Sequence, residues 1–267
     1  MCGILGIAIN DWSLDTLQTL YNVFDNQSSR GTDGAGVSIN SKNLWRFRSY
    51  DPHRIFAAYN MTMWNSVKVG DRIMFHHRYP TSTKNAPKFN HPIQSEDGRI
   101  HMIHNGIITN ADELYEELKA HKFETEDGNR FTDSEVIVHL FEDELEHTND
   151  VFTALKKTSE KLQGSYAVAI QMKGDKNIYL IAQNNPIVIS KDLAGNWYFS
   201  SEAYKGLEKV YQLSDGEIVS LSVDGYKILG KFKGKDYSYK WTDKSYDYDL
   251  DWKSKWNWKQ GGIYDGQ

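Results

Sequence analysis

The sequence contains a single cysteine among its 267 residues. One thiol excludes an intrachain disulfide and any metal site built from several thiolates. A free thiol suits a reducing compartment, so this composition predicts a cytoplasmic protein. The one cysteine stands at position 2, which directs attention to the amino end of the chain.

Long apolar runs and an excess of positive charge are also missing. No stretch approaches the roughly 18 to 20 consecutive apolar residues that a membrane-spanning helix needs, and the amino end has no targeting pattern. The net charge of −5 gives no general attraction for nucleic acid or anionic lipid. We therefore predict a soluble protein with no membrane partner and no nucleic-acid partner.

Apolar periodicity predicts strands, then helices, then strands again, which indicates an α+β fold. A first strand is expected at residues 2–9, which are apolar on both faces, with Cys2 at its start. Further strands are expected at 37–39, 45–47, 72–77, 99–104, 166–172, 178–182, 187–190, 197–200, 215–221 and 226–232, and helices at 14–24, after 110, at 132–146 and at 151–162. An irregular, partly helical segment is expected at 54–63.

Two helix starts have capping patterns. Asn110 and Glu113 are spaced as an N-cap and its capping-box partner, and Thr132 precedes the apolar-periodic residues that begin at Val136. We expect both side chains to cap their helices, with Asp133 in the first turn of the second one.

The carboxyl-terminal segment differs from the rest in composition. We predict a domain at residues 1–231 and an appendage at 232–267 that is rich in Trp, Tyr, Lys and Asp. Its four tryptophans would suit docking on another subunit, packing on this domain or a disordered tail, and the residues do not choose among these.

Cys2 can be a nucleophile that needs no distant base. Removal of Met1 would place a thiol and an α-amine, with reference pKa values of about 8.5 and 8, on one residue. The free amine would then accept the proton of its own thiol, as in N-terminal threonine enzymes. On position alone, Cys2 could equally be a small buried hydrophobe in a first strand.

Five motifs in order resemble the glutaminase domain of the class II glutamine amidotransferases, a branch of the N-terminal-nucleophile hydrolases. The resemblance extends from Cys2 to about Gly230 and implies the four-layer αββα sandwich of that fold. The motifs are Cys2-Gly3-Ile4, Arg30-Gly31-Thr32-Asp33-Gly34-Ala35-Gly36, His77-Arg78-Tyr79-Pro80-Thr81, His104-Asn105-Gly106-Ile107-Ile108-Thr109-Asn110 and Thr132-Asp133-Ser134-Glu135-Val136-Ile137.

The resemblance implies catalytic roles at the fourth motif. The Asn105 side chain and the Gly106 backbone N–H would form an oxyanion hole held after a strand, because both groups are hydrogen-bond donors. An isolated Asn-Gly pair is more often a hairpin turn.

Substrate binding is implied at three other residues. Arg78 would bind the α-carboxylate of glutamine, Asp133 would receive its α-ammonium, and Thr81 belongs to the same substrate-binding set. A surface salt bridge for Arg78 and a favourable helix-dipole contact for Asp133 are the alternatives. Arg30 and Gly31 are expected to support the pocket of the nucleophile.

No metal or organic cofactor is expected. Several histidines lie between His76 and His104, yet His101 and His104 are three apart on a strand and so face opposite sides. The glycines after Arg30 lack the Gly-Lys-Ser/Thr signature of a phosphate-binding loop.

The sequence therefore predicts a stand-alone glutaminase that converts L-glutamine to glutamate and ammonia through a Cys2 thioester and supplies a separate synthase. Full-length relatives carry an ammonia-consuming domain, which the residues after 231 are too few to encode. A self-sufficient hydrolase of another γ-glutamyl amide is one alternative, and an inactive binding module of the same fold is another. The segment Tyr79-Pro80-Thr81-Ser82-Thr83 and the pair His91-Pro92 suggest different subfamilies, so the branch stays open.

Overall fold

The computed structural model describes residues 2–57, 61–79, 86–125 and 131–235. They belong to one compact unit that ends at Lys235. The helices are α1 (Leu14–Ser28), α2 (Met61–Ser66), α3 (Ala111–Glu117), α4 (Asp133–Thr148) and α5 (Val151–Lys161), with 3-10 turns at Pro52–Phe56 and Pro87–Phe89. The strands are β1 (Gly3–Ala8), β2 (Ala35–Asn40), β3 (Leu44–Ser49), β4 (Arg72–His77), β5 (Ile93–Gln94), β6 (Ile100–Ile108), β7 (Gly164–Met172), β8 (Ile178–Gln183), β9 (Val188–Lys191), β10 (Trp197–Ser200), β11 (Glu208–Gln212), β12 (Glu217–Ser222) and β13 (Gly225–Lys231).

The strands form two antiparallel sheets. Sheet 1 has the order β11-β9-β10-β1-β4-β2-β3, and sheet 2 has the order β13-β12-β8-β7-β6-β5. The first strand, β1, is central in sheet 1, where it pairs with β10 on one side and with β4 on the other. A strand in that position has both faces covered, which explains why its residues are apolar at odd and even positions alike.

Three apolar cores separate four layers. The core between the sheets joins Ile4 and Met74 of sheet 1 to Ile103 and Leu180 of sheet 2. On the outer face of sheet 1, a second core includes Leu20, Val23 and Phe24 of α1. On the outer face of sheet 2, a third core includes Val136, Leu140, Ala154 and Leu155 of α4 and α5. The predicted αββα arrangement is thereby confirmed.

Several local predictions were wrong. Strand β6 continues through Asn105 and Gly106 to Ile108, so the Asn-Gly pair lies inside a strand rather than after it. Neither Asn110 nor Thr132 makes a side-chain capping hydrogen bond. Asn110 instead accepts from the backbone N–H of Gln163 at 2.9 Å and donates to the carbonyl of Lys161 at 3.0 Å. That side chain joins α3 to the end of α5.

The chain continues as part of the domain just past β13. Phe232 is buried, and its ring stacks on Tyr166 with the ring centroids 6.4 Å apart. Residues 236–267, which hold most of the predicted appendage, lie outside the described residues. The boundary between 231 and 232 stays a prediction. Among the residues that the structure describes, no helix has the length and apolar character that crossing a membrane requires.

Candidate active site

The Cys2 thiol lies against the main chain of Tyr79. Strand pairing sets Gly3 opposite His77, so the residues that follow β4 return beside the start of β1. The Tyr79 backbone N–H donates to Cys2 Sγ at 3.3 Å, and the thiol lies 3.6 Å from the Tyr79 carbonyl oxygen. Cys2 is partly exposed, which leaves the sulfur accessible to a small substrate.

The electrostatic surroundings of the thiol are mixed. Burial raises the pKa of the Cys2 thiol, whereas the Tyr79 N–H and the charge of Arg78 act to lower it, and Asp133 acts to raise it. The net direction is upward, so the thiol is mainly protonated at neutral pH and needs a base before it can attack. Arg78 and Asp133 are both near enough for their charges to act on the sulfur.

Arg30 and Gly31 lie directly behind the nucleophile. Arg30 Nε donates to the carbonyl oxygen of Cys2 at 3.0 Å, and its guanidinium forms an ion pair with Glu202. A Cβ atom on Gly31 would lie 2.5 Å from the Arg78 carbonyl carbon and 2.9 Å from the Tyr79 nitrogen. Only glycine allows this close approach, since real Cβ contacts are never so short.

Arg78 follows β4 and is only 4% exposed. Its Nη1 donates to Asn90 Oδ1 at 3.2 Å, and the guanidinium lies over the Phe89 ring at 5.8 Å from the centroid. Burial lowers the pKa of Arg78, while the charges of Cys2 and Asp33 act to raise it. A guanidinium is a planar set of donors, a geometry that matches a carboxylate.

Asn105 and Gly106 lie in sheet 2, on strand β6. Asn105 is 2% exposed, and its amide faces Asn185: Nδ2 donates to Asn185 Oδ1 at 3.4 Å, and Asn185 Nδ2 donates to the Asn105 carbonyl at 3.1 Å. Gly106 is exposed and has φ = 143°, a conformation that side chains rarely adopt. A Cβ there would lie 2.1 Å from the carbonyl oxygen of Ser165.

Asp133 begins α4, and it is linked to β6. The backbone N–H of Ile108 donates to Asp133 Oδ2 at 2.9 Å, and Ser134 Oγ donates to Asp133 Oδ1 at 3.3 Å. Ser134 Oγ also lies 2.9 Å from His104 Nδ1. The carboxylate is therefore held by the strand that carries Asn105 and Gly106.

The structure brings together most of the predicted site residues. Arg30 donates to the Cys2 carbonyl, Gly31 packs against the Arg78–Tyr79 peptide, and the charge of Arg78 acts on the Cys2 thiol. The charge of Asp133 acts on the Cys2 thiol from the first turn of α4, and strands β1 and β4 both contact β6. Thr81 lies outside the described residues.

Sequence reasoning missed three contributors. Tyr79 acts through its backbone N–H, which any residue type would supply, so no side-chain pattern could have revealed it. Asn185 and Glu202 are distant in sequence from the residues that they contact. In the sequence, Asn185 is only a polar residue after a predicted strand, and Glu202 is only part of a Ser-Glu pair after a later one. These contacts depend on the sheet pairing, which the sequence does not show.

The histidines of β4 and β6 are divided between layers, as expected. His101 Nδ1 lies 2.7 Å from Ser38 Oγ of sheet 1, whereas His104 Nδ1 contacts Ser134 on the helix side. His76 and His91 have ring centroids 4.1 Å apart, and burial lowers the pKa of both residues well below the ordinary value. These imidazoles are neutral parts of the buried structure.

Known proteins share this sequence pattern. The family model described as a glutamine amidotransferase domain matches residues 77–208. A glutamine–fructose-6-phosphate aminotransferase of Thermococcus kodakarensis is 36% identical over 85% of this chain and 37% of its own length. The corresponding protein of Sulfurisphaera tokodaii is 28% identical over 96% of this chain and 43% of its own length. The chain thus spans about two fifths of these relatives.

Solved structures share the fold. A glutamine phosphoribosylpyrophosphate amidotransferase from B. subtilis superimposes with a TM-score of 0.67 at 20% identity, over 88% of this chain and 50% of that one. A glutamine aminotransferase class-II domain protein from Silicibacter pomeroyi gives a TM-score of 0.54 at 16% identity, over 87% of this chain and 100% of that one. Together with the matches in sequence, these likenesses identify the chain as one that contains a class II glutamine amidotransferase domain of the N-terminal-nucleophile hydrolase fold.

Proposed function

We propose that Cys2, freed by removal of Met1, hydrolyses L-glutamine to glutamate and ammonia. The observation that carries this proposal is the position of the Cys2 sulfur. It accepts a hydrogen bond from Tyr79 N–H and is under the charges of Arg78 and Asp133. A partly exposed thiol on which the charges of one cation and one carboxylate both act suits a zwitterionic amino acid as substrate.

Arg78 and Asp133 determine the selectivity for glutamine in this proposal. The guanidinium binds the α-carboxylate with parallel hydrogen bonds, and the Asp133 carboxylate accepts from the α-ammonium. Asp133 Oδ1 has one weak contact, with Ser134 at 3.3 Å, so it retains acceptor capacity. With both ends of the amino acid fixed, the side-chain amide is delivered to Cys2.

The reaction proceeds in two halves. The α-amine of Cys2 takes the thiol proton, and the thiolate sulfur attacks the amide carbon to form a tetrahedral intermediate. The proton passes to the amide nitrogen, the C–N bond breaks, and ammonia leaves a γ-glutamyl thioester. Water then adds to the thioester, the C–S bond breaks, and glutamate and the free thiol are released.

The oxyanion of each intermediate is stabilised by the side-chain amide of Asn105 and the backbone N–H of Gly106. Removal of one such donor typically lowers the rate by about 100- to 1,000-fold. Asn185 orients Asn105, because the two side chains and the Asn105 carbonyl form a reciprocal pair of hydrogen bonds. Arg30 fixes the backbone of the nucleophile through the Cys2 carbonyl.

The ammonia is proposed to pass to an acceptor site on a synthase domain or subunit. The relatives named above are aminotransferases that use fructose 6-phosphate, and the chain matches about two fifths of their length. A stand-alone subunit in the cytoplasm that serves a separate synthase stays a prediction, and sedimentation of the native protein from its source would test it.

Glutamate release from L-glutamine is the experiment that tests the proposed activity. The purified chain, with Cys2 verified as the first residue by mass spectrometry, is compared with Cys2→Ala. We expect release by the former only, and hydroxylamine should intercept the thioester as γ-glutamyl hydroxamate. Equal release by Cys2→Ala would contradict the proposal. Cleavage of a γ-glutamyl anilide without cleavage of glutamine would favour the hydrolase alternative.

A further inference from the structure

Two histidines and a glutamate converge beside α4, on residues that are not part of the Cys2 site. His139 and Glu142 are three residues apart on α4, and His121 lies in the turn after α3. One potential ligand atom from each of the three residues lies within 4.8 Å of the others. Glu96, in the turn between β5 and β6, approaches the same place, with its Oε2 3.4 Å from His121 Nδ1.

Two of the separations between these atoms are near those between ligands around one ion. His139 Nδ1 lies 3.1 Å from Glu142 Oε2, and His121 Nδ1 lies 3.8 Å from the same oxygen. Tetrahedral ligands at about 2.0 to 2.1 Å from Zn²⁺ lie roughly 3.3 to 3.4 Å from one another. The spacing is thus close to what a central ion requires. The Glu96 backbone N–H also donates to Glu142 Oε2, at 3.3 Å.

Orphaned nitrogens provide an independent indication. His121 Nδ1 is a buried atom with no hydrogen-bond partner, and so is Nε2 of His139, a residue that is 1% exposed. The two rings stack with their centroids 4.7 Å apart. A buried nitrogen without a partner destabilises the folded state, because it has lost its hydrogen bonds to water and forms none within the protein. A metal ion bound by His121 Nδ1 would give one of these two nitrogens a partner.

The outer contacts also resemble those of a metal centre. His121 Nε2 lies 2.9 Å from Asp143 Oδ1, and His139 Nε2 lies 3.7 Å from Glu135 Oε1. Metal-binding histidines usually direct the second ring nitrogen at a carboxylate, which fixes the tautomer and the ring orientation. His121 makes such a contact with Asp143, whereas Glu135 lies beyond hydrogen-bond distance from His139 Nε2.

We propose that His121, His139 and Glu142 bind a divalent transition-metal ion, with Zn²⁺ as the best match and Glu96 or water as the fourth ligand. Two imidazoles and a carboxylate suit Zn²⁺, whereas Mg²⁺ and Ca²⁺ prefer oxygen ligands only. The Glu96 side chain is half exposed, which provides an entry path for the ion.

The position indicates a structural role. His139 is six residues from Asp133 on α4, which is about 9 Å along the helix axis, so the ion would not contact bound glutamine. It would instead join α4 to the turn after α3 and to the turn before β6. Glu135 already holds this region, because its carboxylate accepts from the Thr125 backbone N–H at 2.8 Å.

The test uses the untagged full chain in a Cys2→Ala background, since a terminal thiol and amine would themselves bind metal. Metal-free protein is titrated with Co²⁺ and with Zn²⁺. We expect one equivalent per chain, visible d–d absorption of tetrahedral Co²⁺, displacement by Zn²⁺ and a rise in the thermal unfolding midpoint. The Cys2→Ala background has no glutaminase role, so the outcome is separate from that of the proposed function.

Substitutions of the proposed ligands test whether the ion binds at this cluster. Glu142→Gln and His121→Asn should each weaken Zn²⁺ binding by at least about tenfold. His147→Gln, which removes an exposed histidine of the same helix, should bind as the parent does. Circular dichroism without metal checks that each variant folds. Absence of a stoichiometric ion, or equal binding by Glu142→Gln, His121→Asn and His147→Gln, would overturn the proposal.

Discussion

The contact between Gly31 and the Arg78–Tyr79 peptide predicts the effect of one added methyl group. In Gly31→Ala the new Cβ would lie 2.5 Å from the Arg78 carbonyl carbon, so the segment that supplies the Tyr79 N–H must move. We expect a loss of stability on the order of 1 to 3 kcal/mol. We also expect a fall of about 100-fold in kcat, because misplacement by about 1 Å has that effect on positioned groups.

Urea unfolding and steady-state glutaminase assays would measure both effects of Gly31→Ala. Thr32→Ala is the matched control, since Thr32 is the next residue and is exposed. A Gly31→Ala enzyme with the kcat of the parent would show that the Tyr79 N–H does not position the sulfur.

Variants of Asn105 and Asn185 would distinguish two effects on the rate: hydrogen-bond donation to the oxyanion, and the orientation of the Asn105 side chain that donates. Asn105→Ala removes the proposed donor and should lower kcat by about 100- to 1,000-fold with an unchanged fold. Asn185→Ala leaves the donor in place and removes the two hydrogen bonds that orient it, at 3.4 and 3.1 Å, so we expect a smaller loss in kcat. Measured kcat values for the two variants give the comparison, and equal losses would argue against the oxyanion role.

The residues of this site differ in how far the sequence could predict them. Cys2, Arg78, Asn105 and Asp133 were predicted because their motifs are specific, and in the structure the charges of Arg78 and Asp133 act on the Cys2 thiol. The Tyr79 contribution could not be found, because a backbone N–H has no sequence signature. Its position follows from the pairing of β1 with β4.

At the level of elements, the end of β6 was predicted too early, because the Asn105-Gly106 pair is typical of a turn. An Asn-Gly pair favours a hairpin turn, yet here Asn105 and Gly106 pair in register with Ala167 and Tyr166 of β7. The pairing of nine residues outweighs the local preference of two. The short strand β5 and the edge strand β11 were also missed, because β5 has two residues and most of β11 is exposed.

The junction of β6 with α4 gives a prediction about substrate affinity. Ser134 Oγ contacts both His104 Nδ1 and Asp133 Oδ1, so Ser134→Ala should loosen the Asp133 carboxylate while α4 stays formed. We expect KM for glutamine to rise by roughly tenfold, the effect of about 1.4 kcal/mol, with a small change in kcat.

Initial-rate measurements over a range of glutamine concentrations would separate KM from kcat for Ser134→Ala. Thr132→Ala is the matched control, because Thr132 immediately precedes α4 and its side chain makes no capping bond to the helix. An effect on kcat alone would indicate that Asp133 acts in catalysis rather than in binding.

For the whole molecule, the layer order was predictable because the order of predicted strands and helices along the chain, together with the family resemblance, indicated two sheets with helices outside them. What periodicity could not show is which strands pair, since β1 lies between β10 and β4, which are far apart in sequence. The strand pairing also determines which histidines become buried, and the composition alone does not show this. Among the described residues six histidines end in the interior, and burial lowers the pKa of five of them: His76, His77, His91, His101 and His104.

These five histidines should make the fold sensitive to mild acid. Burial lowers the pKa of His77 to about 4 and that of His101 to about 3, and it lowers the pKa values of the other three as well. In the unfolded chain each takes up a proton near pH 6.5. The unfolded state therefore binds more protons below pH 6.5, and each buried histidine reduces the free energy of unfolding by up to about 1.4 kcal/mol per pH unit.

Urea unfolding at pH 7, 6 and 5 would measure this loss in a range where most carboxylates remain ionised. We expect the free energy of unfolding to fall steadily below pH 6.5. His101→Gln should give a shallower dependence, because it removes one of the groups that must stay neutral between the sheets. His53→Gln, a change at an exposed histidine, should keep the dependence of the parent. A stability that stayed constant from pH 6.5 to 5 would mean that the buried imidazoles accept protons within the folded domain.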